Sequence, residues 1–194
     1  DPFEISNGSE LAYVIKEGGE GKYYELTKDI YLNDVSKVDW LTGTPDAGYT
    51  PISWYGDWAV TPFNGTINGN GHTVNGIYYE KEPQKQYTDY YGGVGLFSKV
   101  ENLTVKNLAV DNSYIHQEAS VSAFVASTVA EGSFKIDSCY VGEKVYLKAA
   151  TAGALTAYAY KAVNSSITNC YSLATLDGVN YSGLSAFNWF NSST

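Results

Sequence analysis

Apolar positions recur along this chain at a fixed interval. Val74, Val105, Ile136 and Ile167 are each 31 residues apart, and three positions further on the same interval relates Ile77, Leu108, Cys139 and Cys170. Between these columns run small or amide residues, Gly76, Asn107, Ser138 and Asn169, and a third apolar column starts at Tyr79, Val110 and Val141 and ends in Ser172. A constant interval in this range marks one supersecondary unit stacked on copies of itself. Within each copy the apolar residues fall at i, i+3 and i+5, which fits neither a helix nor strict alternation. It fits a strand that bends after its first inward residue and then resumes alternation. Gly and Asn adopt left-handed backbone angles at least cost, so a shared bend accounts for the small-residue column. The amide side chains are expected to hydrogen-bond along that column, as ladders do in other stacked strands.

A second repeated strand is predicted at Gly95-Leu96-Phe97, Ala123-Phe124-Val125, Gly153-Ala154-Leu155 and Gly183-Leu184-Ser185. Short strands without intervening helices indicate an all-β parallel β-helix, a solenoid, rather than βαβ units. The first third of the chain is less regular. Phe3-Glu4-Ile5 and residues 26–32 read as strands. Residues 9–17 place Leu11, Val14 and Ile15 at helical spacing after an Asn7 or Ser9 cap, with Gly18-Gly19 as the stop. A short helix there is expected to cover the open end of the coil, because an uncovered end exposes strand edges and core. The division predicted is a single β-helix domain over 1–194, with an irregular cap and insertion at 1–62 and regular rungs at 63–194.

Composition narrows the setting. Lysine supplies all 12 basic residues, there is no arginine, and the net charge is −9. That balance argues against nucleic acid, whose phosphates and base edges are met by Arg and Lys. The 18 tyrosines, with abundant Gly, Asn, Ser and Thr, suit an extracellular bacterial surface. No segment reads as a signal peptide or membrane span. With no methionine and a start at Asp1-Pro2, the chain is expected to be a piece excised from a larger extracellular protein. The Asn-x-Ser/Thr triplets at Asn7, Asn64, Asn102, Asn164 and Asn191 are expected by chance in so Asn- and Ser-rich a chain.

Residues 63–77 (Phe-Asn-Gly-Thr-Ile-Asn-Gly-Asn-Gly-His-Thr-Val-Asn-Gly-Ile) resemble a stretch of bacterial surface proteins carrying the GLUG-type repeat, which are adhesin-like β-helices. Phe3-Glu4-Ile5-Ser6 with Glu10-Leu11-Ala12, then residues 24–32, are similar to the lead-in of that element. Gly95-Leu96-Phe97 followed by Val105-Lys106-Asn107-Leu108 is similar to the repeat itself. The likeness covers residues 3–110, with weaker copies to 185. Ser122-Ala123-Phe124 and Gly153-Ala154-Leu155 depart from the Gly-Leu pair. The resemblance implies a right-handed β-helix in a secreted or surface setting, and no particular activity.

Candidate chemistry is sparse. Cys139 and Cys170 share a column in adjacent rungs. Parallel neighbours lie about 4.8 Å apart with parallel Cβ vectors, whereas a disulfide needs Cβ atoms near about 3.8 Å and angled together, so stacked reduced thiols are expected. His72, after Gly69-Asn70-Gly71, is expected to be a turn histidine bonded to backbone, and His116 to stand isolated. The scattered aspartates lack the alternating pattern of calcium loops. No catalytic residue, metal ligand or cofactor is therefore predicted.

Aromatic-rich insertions are the most suggestive surface feature. Residues 33–62 carry Trp40, Trp54, Tyr55, Asp57 and Trp58, and residues 78–91 carry Tyr87, Asp89, Tyr90 and Tyr91 among other tyrosines. Long loops on a rigid scaffold often carry function, and Trp and Tyr faces stack on sugars. Trp54, Tyr55, Asp57, Trp58, Tyr87, Asp89, Tyr90 and Tyr91 are thus the candidate ligand-binding residues. The competing expectation is that these loops fold back and bury the tryptophans. The function expected is a non-catalytic adhesion or binding module at a bacterial cell surface, with a polysaccharide or host-surface ligand and further domains of the same polypeptide as partners. A polysaccharide lyase or glycoside hydrolase is the alternative, and a purely structural spacer the third.

Overall fold

A computed structural model describes residues 1–54, 61–81 and 93–190. Three parallel sheets wind around a continuous apolar core, and the chain visits them in turn. The first sheet contains Phe3–Ile5, Lys22–Leu26, Phe63–Asn68, Phe97–Lys106, Val125–Asp137, Thr156–Ala162 and Ser185–Phe190 in that order, with Ser166–Thr168 also on Val125–Asp137. The second stacks Ile30–Tyr31, Thr73–Asn75, Ala109–Asp111, Tyr140–Val141 and Tyr171–Ser172. The third is built from Tyr78–Glu80, Gly93–Val94, Ser113–His116, Ser120–Val121, Val145–Gly153 and Thr175–Ser182. Among the described strands, only Val38–Asp39 with Thr44–Pro45 pair antiparallel. This is an all-β parallel solenoid.

The left-handed bends fall where the small-residue column requires them. Asn107, Ser138 and Asn169 have φ of 52°, 54° and 54°, and Val105, Ile136 and Ile167 stack in register beside them. The bend side chains, however, do not ladder with one another. Asn107 donates to Asn68 at 3.1 Å, and Asn169 donates to Asp137 at 2.8 Å. Each reaches diagonally across to the residue before the bend in the neighbouring rung.

The first copy of the repeat is shifted in phase. Val74 pairs with Val110 and Ile30, while the partner of Val105 is Ile67. Tyr79 pairs with Ile115 rather than Val110. Gly76 meets Asn112, whose carbonyl accepts its N–H at 2.8 Å, and Ile77 likewise faces the third sheet. The Asn68–His72 turn is two residues longer than the corresponding bends, and the 82–92 segment lengthens the same rung, so 31 residues lead from Val74 to the wrong column. Gly76 is required at its corner: its φ is 84°, and a Cβ there would lie 2.7 Å from the Asn33 nitrogen.

Burial follows the stacking. Val74, Ile77, Val105, Leu108, Ile136 and Cys139 are buried, whereas Ile167 and Cys170 are only partly so because they lie in the last rung. Tyr78, Tyr140 and Tyr171 take the outward column as expected. Ala109 shares that column with Tyr140 and Thr73 yet is buried, a small side chain roofed by its neighbours.

The Gly-Leu-Phe elements are corners rather than strands. Gly95-Leu96, Ala123-Phe124, Ala154-Leu155 and Gly183-Leu184 are bends that join the third sheet to the first. Leu96, Phe124 and Leu155 drop fully into the core there, and Phe97 N–H donates to the Phe124 carbonyl of the next rung at 2.8 Å. Residues 26–32 are likewise interrupted, by a turn between Lys22–Leu26 and Ile30–Tyr31.

The predicted helix spans Gly8–Lys16. Asn7 caps it by accepting from Glu10 N–H at 2.9 Å, and Glu10 returns a carboxylate to Ser6 N–H at 2.7 Å. Leu11, Val14 and Ile15 join the core, and Gly18 and Gly19, both at positive φ, end the helix.

Candidate binding surface

The outward column of the third sheet carries most of the organised polar and aromatic chemistry. Tyr78, Tyr114 and Tyr146 stack in register, with ring centroids 5.8 Å and 5.6 Å apart. Two positions on, Glu80, His116, Lys148 and Asp177 form a second in-register column. His116 Nδ1 lies 2.8 Å from Glu80, and Lys148 Nζ 3.0 Å from Asp177. Beside them Lys81 bonds Glu118 at 3.1 Å.

Those contacts shift proton affinities. Tyr114 is raised first by burial and then by donating to the Glu80 carboxylate. Tyr146 is raised by burial and by its 2.8 Å bond to Asp177. Lys148 is raised, and Asp177 lowered, mainly by the hydrogen bond between them. Lys81, His116, Gln117, Glu118, Lys148 and Asp177 line a shallow depression of about 460 Å³.

Spacing alone does not reveal these residues, because the loops between them differ in length. The available signal was a repeated triplet of tyrosine, apolar residue and polar or charged residue: Tyr78-Tyr79-Glu80, Tyr114-Ile115-His116 and Tyr146-Leu147-Lys148. His116, expected to be isolated, is bonded to a residue 36 positions away. His72 does occupy a turn, but its ring also faces a carboxylate, with Nδ1 3.3 Å from Asp29, which accepts Thr73 N–H at 3.0 Å.

The first insertion folds back on the tyrosine ladder. Trp40 is buried and donates from Nε1 to the Val35 carbonyl at 3.0 Å, packing with Val38 and Tyr114. Gly43, at φ 70°, lies flat on the Tyr114 ring, where a Cβ would come within 2.5 Å. Trp54, the candidate ligand contact described here, is 5% exposed and belongs to the main core. Its Nε1 donates to the Gly95 carbonyl at 3.0 Å and its backbone N–H to Tyr78 at 2.7 Å. Its ring is not offered to a ligand, because burying the indole with its N–H satisfied costs less than leaving it wet. Tyr55, Asp57, Trp58, Tyr87, Asp89, Tyr90 and Tyr91 lie outside the described residues.

Cys139 and Cys170 are free thiols. The Cys139 thiol donates to the Asp137 carbonyl at 3.2 Å, and burial pushes its pKa up to about 12. Cys170 is raised by the same cause. Among the described residues no group of three or more His, Cys, Asp or Glu could hold a metal ion, and no helix is long and apolar enough to cross a membrane.

No family model matches the chain, and no solved structure matches it. It is similar to halomucin of Haloquadratum walsbyi, 26% identical over 110 residues. It is also similar to an Evansella cellulosilytica protein described as a Gly-rich membrane protein, 32% identical over 128 residues. The matches take in 56% and 66% of this chain but only 1% and 13% of those two relatives, so it corresponds to a small part of each.

Proposed function

We propose that the chain is a non-catalytic binding or adhesion module of a bacterial surface or secreted protein, built as a right-handed coil closed at one end by the Gly8–Lys16 helix. Its ligand surface is the outer face of the third sheet, and a polysaccharide is the ligand class. The observation that carries this reading is one of position. The depression lined by His116, Gln117, Glu118, Lys148 and Asp177 includes Lys81, the residue from which the Tyr-rich 82–92 segment departs. Tyr87, Asp89, Tyr90 and Tyr91 would supply stacking faces and an acceptor beside a floor of fixed donors and acceptors. Glu80, Glu118 and Asp177 each contact a cation, an arrangement suited to hydroxyl recognition more than to a paired acid and base. The names of the two relatives, one a mucin and one a membrane protein, support the surface setting, and so does the likeness to GLUG-type repeats.

A glycan array probed with the purified chain tests the proposal. Hits are expected, and a Tyr87→Ala/Tyr90→Ala/Tyr91→Ala variant or Lys148→Ala should lose them while keeping the wild-type melting temperature. An array without hits leaves the second reading, a structural spacer, which the burial of Trp40 and Trp54 favours.

A further inference from the structure

The N-terminal end of the coil is only half covered. The inward column that runs through Tyr24, Ile67, Val105 and Ile136 begins at Phe3. The helix buries Leu11, Val14 and Ile15 but leaves Phe3 54% and Tyr13 66% exposed. Between them lies a groove of about 530 Å³, floored by Phe3, Tyr13, Val14 and Tyr24. Phe3–Ile5 ends the strand order of the first sheet, so one edge of it has no strand beside it. Four glutamates line the groove, Glu4, Glu10, Glu17 and Glu20, against one cation, Lys22. That lysine is bonded to Glu20 and holds its ammonium 5.3 Å from the centre of the Phe3 ring. Glu10 is held below the usual carboxylate range by its two bonds from Ser6.

We infer that this groove docks an extended cationic segment of a partner protein. The segment adds a strand to the free edge of Phe3–Ile5, sets an apolar side chain on Phe3 and Tyr13, and places lysine or arginine against Glu10 and Glu17. Edge addition supplies backbone hydrogen bonds, and the pocket supplies selectivity. Lys22 marks where an ammonium satisfies both ring and carboxylate. Charge discriminates among occupants: a second copy brings the same acidic rim and a net charge of −9, and an anionic lipid surface is repelled likewise.

The test uses fluorescence anisotropy with a labelled Lys-Val-Lys-Phe-Lys-Val peptide, and Glu-Val-Glu-Phe-Glu-Val as its counterpart. The cationic peptide should bind and weaken with added salt, and the acidic one should not bind. Phe3→Ser and Tyr13→Ser, at exposed positions that leave the fold intact by circular dichroism, should each weaken binding by about tenfold. Glu10→Gln/Glu17→Gln should act similarly, and Lys22→Ala should tighten binding by removing the internal competitor. Glu143→Gln, which removes the same kind of charge from a remote exposed turn, should change binding less than about twofold. Equal weakening by Glu143→Gln, binding of the acidic peptide, no binding of either peptide, or self-association through the groove in sedimentation would each overturn the inference. None of these outcomes touches the third-sheet surface, so the two proposals fail separately.

Discussion

Replacing Trp54 separates architecture from recognition. The indole is 5% exposed, sits in the main core and satisfies the Gly95 carbonyl at 3.0 Å. Truncating a buried Trp to Ala costs about 3–5 kcal/mol. Trp54→Phe keeps most of the apolar contact but orphans the Gly95 carbonyl, a loss of about 1–3 kcal/mol. Gly95 cannot relax to compensate, because its corner is tight: a Cβ there would lie 2.7 Å from the Ser122 carbonyl oxygen. Urea denaturation followed by far-UV circular dichroism should therefore rank wild type above Trp54→Phe above Trp54→Ala, with unchanged m-values. In glycan binding, measured well below either midpoint, both variants should match wild type. A Trp54→Ala cost under about 1 kcal/mol, or lost binding by a fully folded variant, would refute the placement of this ring in the core.

Ile136→Ala should cost about 2–5 kcal/mol, since Ile136 is fully buried between Val105 and Ile167. Ile167→Ala, in the partly exposed last rung, should cost less than half of that in the same urea titration. In the native chain at pH 8, Cys139 should resist a thiol reagent, because a pKa of about 12 leaves a thiolate fraction on the order of 10⁻⁴. Both cysteines should titrate after denaturation, and finding no thiol then would establish a disulfide. Asp137, bonded by Thr168 and Asn169, has a lowered pKa. Its contribution to stability should thus be present above the unfolded carboxylate range near pH 4 and fade as pH falls through the depressed value. Thermal melts of Asp137→Asn against wild type should converge below that range.

Where the rungs are regular, the chain is readable from its own spacing. Val105, Ile136 and Ile167 stand at the interval that stacks them, and Asn107, Ser138 and Asn169 carry the bends their chemistry allows. The Gly8–Lys16 helix shows itself locally through Asn7, its apolar stripe and two glycines. The first rung misleads because two length changes offset each other: a longer turn at Asn68–His72 and the insertion after Lys81. An interval reports register only while the loops between strands stay constant. The Gly-Leu-Phe elements look like strands because their side chains are as apolar as strand residues, yet they point into the core from bends. The surface columns were hidden for a different reason. Glu80, His116, Lys148 and Asp177 are neighbours through stacking alone, and nothing local to any of them names its partner. Trp54 reads equally as bait or as core until the Gly95 carbonyl is seen beneath it.

Because the strands are parallel and successive turns of the coil touch mainly through their hydrogen-bonded edges, tension along the coil axis pulls in line with the bonds between turns. It opens them a few at a time instead of shearing a whole strand at once. A turn of 31 residues, as between Val105 and Ile136, releases about 100 Å of extended chain when peeled away. Each turn contacts only its neighbours, so it can rewind on the turn beneath it once the load drops. A chain of this design yields in long, low-force, recoverable steps, the behaviour of a shock absorber more than of a rivet.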